Sequence, residues 1–168
     1  FGHDGLMGNQ VPIGVGACFA SKTPTIVFIG DSAAEEDYCL TAIGWASTKK
    51  LPILFIVEDN NLSILTEKKV RRNWEMHDIA RAFGMKSFNL ADDPEEIRVA
   101  LEGVFDGPML INVNTHRKFW HAGAGIDDEN VFDRYKDEMK KLGNIANQIH
   151  LDAKKEVEEK WEKQLEKQ

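Results

Sequence analysis

The chain has 168 residues, 42% of them hydrophobic, and a net charge of −7 from 21 basic and 28 acidic side chains. That suits one folded domain with its own core, and the acidic balance argues against nucleic acid as a partner. The longest apolar stretches, Val11–Ala20 and Leu51–Val57, are far shorter than the ~18 residues of a membrane span, so no membrane partner is expected.

In chain order, Val11–Ala20 predicts a helix ahead of the first strand. Thr25–Ile29, Leu51–Val57 and Met109–Val113 are short apolar runs rich in β-branched residues, as in strands buried on both faces. Met85–Leu90 is a weaker fourth strand. Between them lie the helix-length segments Ala33–Thr48, Met76–Gly84 and Pro94–Val104. In the last, Asp92 or Asp93 can cap, Pro94 suits the first turn, and Ile97, Val99–Leu101 and Val104 form an apolar stripe. The alternation implies an α/β fold, a doubly wound and mostly parallel sheet with right-handed crossovers. Trp45 and Phe55 read as core. Cys18 and Cys39 form no CxxC pair and read as reduced core residues, which favours a cytoplasmic location. No signal peptide is visible, although the chain opens on Phe1 and not Met.

The C-terminal stretch Arg134–Gln168 carries 9 basic and 8 acidic residues. Val131, Tyr135, Met139 and Leu142 share one helical face, Val157, Trp161 and Leu165 another, and Gly143-Asn144 divides two helices. The expected organisation is an α/β domain over residues 1–125 and a charged helical extension over 126–168. The extension either packs on its own domain or meets another subunit.

Ligands of open α/β sheets bind beyond the carboxyl ends of the strands. After the first strand stands Gly30-Asp31-Ser32-Ala33, where Gly30 permits a tight turn and small residues free backbone N–H groups for a phosphate. A carboxylate at Asp31 repels a bare phosphate, and a Mg²⁺ ion between the two resolves that conflict. After the second strand stands Glu58-Asp59-Asn60-Asn61-Leu62-Ser63, a source of neutral oxygen ligands. The 27 residues between Ser32 and Asn60 leave room for one helix and one strand, so the two strand ends can meet.

Gly30-Asp31-Ser32 followed at this distance by Asn60-Asn61 resembles the thiamin diphosphate motif, GDG then NN. More narrowly, the chain resembles the α subunit of the 2-oxoacid dehydrogenase E1 component over nearly its whole length. Gly5-Leu6-Met7-Gly8-Asn9-Gln10-Val11-Pro12 is similar to that family's G-x-x-G-x-Q-x-P. Lys50-Leu51-Pro52-Ile53 is similar to its KLP strand, and Thr115-His116-Arg117-Lys118-Phe119-Trp120-His121 to its T-x-R-x-x-x-H.

The resemblance implies a diphosphate-binding domain that uses thiamin diphosphate and Mg²⁺. Asp31 and Asn61 would be side-chain metal ligands and the Ser63 carbonyl a backbone ligand. Gly30, Ser32 and Ala33 would offer backbone contacts to the diphosphate, and Gly5 and Met7 would lie against the aminopyrimidine. His121 would be the active-site histidine, with Arg117 placing it or neutralising an anion. The implied reaction is decarboxylation of a 2-oxoacid, with the acyl group passed to a lipoyl-bearing acyltransferase. The implied partner is a pyrimidine-domain, E1 β-like subunit in an assembly of two α and two β chains. Family members also carry a segment ahead of the stretch that begins here at Phe1.

Two departures stand out. Ser32 replaces a glycine, which matters only if that position needs positive φ. His121-Ala122-Gly123-Ala124-Gly125 lacks the hydroxyl of the family's HSxSDP segment, so no phosphorylation is expected there, and its glycines predict a mobile loop. Alternative readings are a transketolase-like or acyloin-forming thiamin diphosphate ligase, and a non-catalytic assembly subunit. Lys68, Lys69, Arg71 and Arg72 read as a solvated loop, with a substrate-anion site as the alternative. His3 reads as a loop residue or a second catalytic histidine, His116 as structural, and His77 and His150 as solvent-facing.

Overall fold

The computed structural model describes residues 5–121, 127 and 130–166. Within it the chain runs α1 (Gln10–Ser21), β1 (Thr25–Gly30), a 3₁₀ turn (Ala33–Glu35), α2 (Asp37–Thr48) and β2 (Ile53–Asp59). The short hairpin β3 (Leu62–Ser63) and β4 (Thr66–Glu67) follows, then α3 (Lys68–Arg71), α4 (Met76–Ala82), β5 (Lys86–Ala91), α5 (Pro94–Ala100) and β6 (Met109–Asn114). A second unit, Phe132–Gln168, holds α6 (Arg134–Leu142), a 3₁₀ turn (Gly143–Ile145) and α7 (Ala146–Leu165).

The main sheet is wholly parallel, in the order β1-β2-β6-β5. Because side chains alternate across a strand, β2 sends Ile53, Phe55 and Val57 to one face and Leu54 and Ile56 to the other. The first face packs against Val11, Val15 and Cys18 of α1, Cys39, Ile43 and Ala46 of α2, and Met76 and Ala80 of α4. On the second face, Leu54, Met109, Ile111 and Val113 meet Ile97 and Ala100 of α5. This is the doubly wound α/β architecture expected, with helices on both faces.

The local signals act where chemistry predicts. The Asp93 carboxylate accepts hydrogen bonds from the N–H groups of Glu95 and Glu96, and Pro94 opens α5. Lys22 closes α1 in the left-handed region, its N–H donating to the Cys18 carbonyl at 2.9 Å. In the second unit Asp133 caps α6, and Gly143 at φ 59° ends it. Both cysteines are buried thiols, and burial pushes Cys39 up to about 12.

Several expectations need correction. The segment Ala33–Thr48 is a 3₁₀ turn and a helix, because Glu36 takes an extended ψ of 137° between them. β1 is buried on one face only: α5 covers β2, β6 and β5 but not β1, which leaves Ile26 and Phe28 half-exposed. Trp45 is not core either; 39% exposed, it packs edge-on against Phe19 and lines a groove of about 520 Å³ with Pro12, Val15 and Tyr38. His77, expected in solvent, has a side chain only 15% exposed and a ring Nδ1 with no hydrogen-bond partner. His150 is exposed as expected, its Nδ1 2.9 Å from the Tyr135 hydroxyl.

Phe55 lies at the centre of the larger core with no accessible surface. Phe55→Ala is expected to cost about 3–5 kcal/mol through lost transfer energy and the cavity left behind, read as a lower urea midpoint at unchanged slope.

Candidate active site at the strand ends

β1 and β2 pair in register from Thr25↔Ile53 to Gly30↔Glu58, so their carboxyl ends stop side by side. The Asp31 N–H extends the pairing, donating to the Glu58 carbonyl at 3.3 Å. Asp31 and Asp59 therefore emerge from neighbouring strands, and their side chains are 2% and 1% exposed. Two carboxylates this buried need cations or donors.

The adjoining helix supplies them. Lys68 Nζ binds Asp59 Oδ2 at 2.7 Å and Glu75 Oε2 at 2.9 Å. Arg71 Nη2 binds Asp31 Oδ2 at 2.6 Å, and its Nη1 reaches Glu35. Arg72, whose side chain is 1% exposed, donates from Nη1 to the Asp31 carbonyl at 3.2 Å, bridges to Glu35 at 3.1 Å and stacks on Trp74 at 4.8 Å. The reading of Lys68, Arg71 and Arg72 as a solvated loop is thus overturned, and only Lys69 stays on the surface, paired with Glu67. Their spacing of three and four residues, one helical face, was the signal that could have found them.

The two carboxylates differ electrostatically. Burial opposes ionisation of Asp59, but hydrogen bonds from Lys68, the Asn61 N–H and Asn112 outweigh it and hold its carboxyl below the ordinary range. Asn112, fully buried within β6, donates from Nδ2 to Asp59 Oδ2 at 3.2 Å and to Asn89 Oδ1 at 3.0 Å. Asp31 moves the other way: burial pushes it up, and the hydrogen bond from Arg71 does not fully offset that. Burial also pushes Glu35 up.

The loop after β2 folds around its own side chains. Asp59 Oδ1 accepts from the Asn61 N–H at 3.0 Å and Asn60 Oδ1 from the Leu62 N–H at 3.0 Å, two Asx turns that set Asn61 at φ 64°. Asn61 is exposed at the lip of the site, and its carbonyl accepts from the Lys68 N–H at 2.9 Å. Ser32 Oγ donates to Ser63 Oγ at 2.8 Å and ties the two strand-end loops together. Ser32 sits at φ −73°, so serine in place of glycine is unstrained. Gly30 is the last residue of β1 and is not among the residues with positive φ, so the turn expected of it is made without a left-handed glycine.

The amino-terminal motif docks on the same edge. A Cβ on Gly8, at φ 78°, would lie 2.8 Å from the Ala33 carbonyl and 2.5 Å from Cys39 Sγ, so only glycine permits this approach. The Met7 carbonyl accepts a hydrogen bond from the Tyr38 hydroxyl, while Gly5 and the Met7 side chain are exposed. Beyond β6, the Thr115 N–H donates to the Asp59 carbonyl at 2.8 Å and Arg117 donates to the Ile64 carbonyl at the hairpin tip. Arg117 thus pins the segment leading to His121, itself exposed, onto the hairpin that follows Asn61. His116 lies 3.8 Å from Asp92. His3 and the stretch Ala122–Gly125 lie outside the described residues.

Among the described residues, no cluster of three His, Cys, Asp or Glu side chains is arranged to hold a metal. The carboxylates brought together here, Asp31, Asp59 and Glu35, are held by Lys68, Arg71 and Arg72. Among the described residues, no helix is long and apolar enough to cross a membrane.

A parallel sheet with a polar constellation at its carboxyl edge defines the class, a doubly wound α/β protein with a strand-end ligand site. The sequence profile described as "Dehydrogenase E1 component" matches residues 1–168, and the chain belongs to that family. The pyruvate dehydrogenase E1 component subunit alpha of Rickettsia bellii is 34% identical over 137 residues, 73% of this chain and 41% of that protein. The subunit of the same name from Rickettsia typhi is 32% identical over 179 residues, 95% of this chain and 53% of that protein. This chain therefore spans about half the length of these curated relatives. A crystal structure of transketolase from Campylobacter jejuni superposes with a TM-score of 0.56 at 25% identity, over 65% of this chain and 19% of the transketolase.

Asp59→Asn should destabilise the chain by about 3 kcal/mol at neutral pH, since it leaves Lys68 with Glu75 alone. The sign with pH follows from the lowered value: Asp59 contributes fully above its unfolded pKa of about 3.9 and loses that contribution as pH falls towards the folded one. Urea unfolding at pH 7 and pH 3 should show the gap between wild type and variant narrowing in acid.

Proposed function

We propose that this chain is the diphosphate- and Mg²⁺-binding part of a thiamin diphosphate-dependent 2-oxoacid dehydrogenase E1 enzyme. The observation that carries this reading is the convergence of Asp31 with the Asn61–Ser63 loop at one sheet edge, joined through Ser32 and Ser63. Three features fit the group. The donor set of one carboxylate, one amide oxygen and one backbone carbonyl suits a hard cation. Nε of Arg71 and Nε of Arg72 are buried without a hydrogen-bond acceptor, as donors beside an anion site would be, while Arg72 Nη2 lies 4.0 Å from Asp59 Oδ2. At Gly30 nothing lies within 4 Å of where a Cβ would stand, which leaves open space beside the end of β1.

In this reading Asp31, Asn61 and the Ser63 carbonyl hold Mg²⁺, while the backbone of Gly30, Ser32 and Ala33 receives the diphosphate. Gly5 and Met7 line the aminopyrimidine side, on the segment ahead of α1 that is held in place by Gly8 and Tyr38. When bound, thiamin diphosphate supplies the electron sink that allows a 2-oxoacid to lose CO₂. His121 would serve as the general acid–base group, and Arg117 positions its segment through the Ile64 carbonyl. A pyrimidine-domain β subunit completes the site, two copies of each chain form the assembly, and a lipoyl-bearing acyltransferase accepts the acyl group in the cytoplasm.

The transketolase likeness supports a second reading, in which the same site passes its activated carbon unit to an aldehyde. Acyl transfer to lipoyl domain, and none to an aldehyde, supports the first reading; the reverse supports the second.

Asp31→Ala and Asn61→Ala should each abolish Mg²⁺-dependent binding of thiamin diphosphate, followed by calorimetry, while circular dichroism stays native. Retained binding in both removes the metal assignment. In the assembled enzyme, His121→Ala should keep cofactor affinity within about twofold and lose at least about 10²-fold in turnover, the range of a general acid–base group. Full activity in that variant reduces His121 to a bystander.

A further inference from the structure

We propose that Arg71 is the counter-ion of Asp31, and that a divalent cation entering this site displaces it onto Glu35. The inference rests on the assignment of Asp31 as a metal ligand and specifies how that ligand is kept before the metal arrives.

Asp31 is among the most buried carboxylates described, and Arg71 holds it with a 2.6 Å charged hydrogen bond. A guanidinium and a divalent cation on one buried carboxylate repel each other strongly, because little water screens them. The two therefore compete for Asp31. Arg71 already has a second carboxylate to go to, since its Nη1 touches Glu35. Its Nε lacks an acceptor, so the present position does not use its full donor set. The helix that carries it is a single turn of four residues between a two-residue-strand hairpin and α4.

Arg72 is built differently. Its guanidinium is clamped by the Asp31 carbonyl, Glu35 and the face of Trp74, with a side chain 1% exposed against 13% for Arg71. Arg72 is the fixed strut and Arg71 the exchangeable group. The Glu35 carboxylate serves both, which explains an acidic residue two positions beyond a phosphate-binding loop.

The exchange predicts opposite effects on stability and on metal affinity. The intact enzyme is compared as wild type, Arg71→Gln, Arg71→Lys and Lys69→Gln, with Mn²⁺ as a spectroscopic probe in the presence of thiamin diphosphate. Free Mn²⁺ is read by electron paramagnetic resonance, and melting is followed with chelator and with saturating metal. Arg71→Gln should melt lower than wild type in chelator, bind Mn²⁺ about tenfold more tightly, and close the melting gap once metal is saturating. Arg71→Lys, which keeps the charge and preserves a partner for Asp31 if the glutamine variant fails to fold, should bind more tightly than wild type by a smaller factor. Lys69→Gln removes an exposed cation from the same helix and should change affinity by less than about twofold.

Weaker Mn²⁺ and cofactor binding in both Arg71 variants would overturn the exchange and make Arg71 a direct contact of the diphosphate. An equal gain in Lys69→Gln would also overturn it, leaving only a change of net charge. Asp31→Ala separates the two levels. Wild-type Mn²⁺ affinity in that variant defeats the metal assignment and the exchange together. Lost affinity there with no gain in Arg71→Gln defeats the exchange alone.

Discussion

Two carboxylates leaving adjacent parallel strands with almost no access to water are the constraint around which this structure is organised. Asp31 follows β1, Asp59 closes β2, and the in-register pairing of those strands sets them side by side. Such a pair cannot be buried alone, because desolvation and mutual repulsion both oppose ionisation. The chain meets the demand locally: the hairpin after β2 turns into a one-turn helix whose Lys68 and Arg71, with Arg72 directly after it, reach back over the strand ends.

The two carboxylates are nevertheless treated unequally. Asp59 receives Lys68, the Asn61 N–H and Asn112, and in return shapes the turn that presents Asn61. It is a keystone of the fold. Asp31 has fewer donors on its side chain, and its burial remains only partly offset. Its one side-chain partner is Arg71, and Ser32 and Ser63 join the loop after Asp31 to the loop after Asp59.

Membership in the dehydrogenase E1 component family and the transketolase likeness fit this picture without replacing it. The relatives are about twice as long as this chain, and the open face of β1, with Ile26 and Phe28 half-exposed, marks a sheet not fully covered within the described residues. The close approach of Gly8 to Ala33 shows why glycine stands where the segment ahead of α1 packs on the turn after β1.

Much of this was legible in the order of residues. Continuous β-branched runs between helix-length segments specified a parallel α/β sheet, since only strands covered on at least one face and joined by crossovers read that way. The Gly30-Asp31-Ser32 and Asn60-Asn61 elements were visible because short-range chemistry, a free N–H beside a carboxylate and amides in a turn, is written into neighbouring residues. What the sequence could not disclose depended on partners distant along the chain. Trp45 looked like core until α1 and α2 left a groove beside it. His77 looked solvated until its carbonyl accepted a hydrogen bond from Ser87 and its ring was enclosed. Lys68, Arg71 and Arg72 looked like a charged loop until the sheet brought Asp31, forty residues from Arg71, within a hydrogen bond of it. Periodicity and turn chemistry are properties of neighbours, and a single chain carries them openly. Burial and charge pairing are properties of encounters, and only the packed sheet decides which side chains meet.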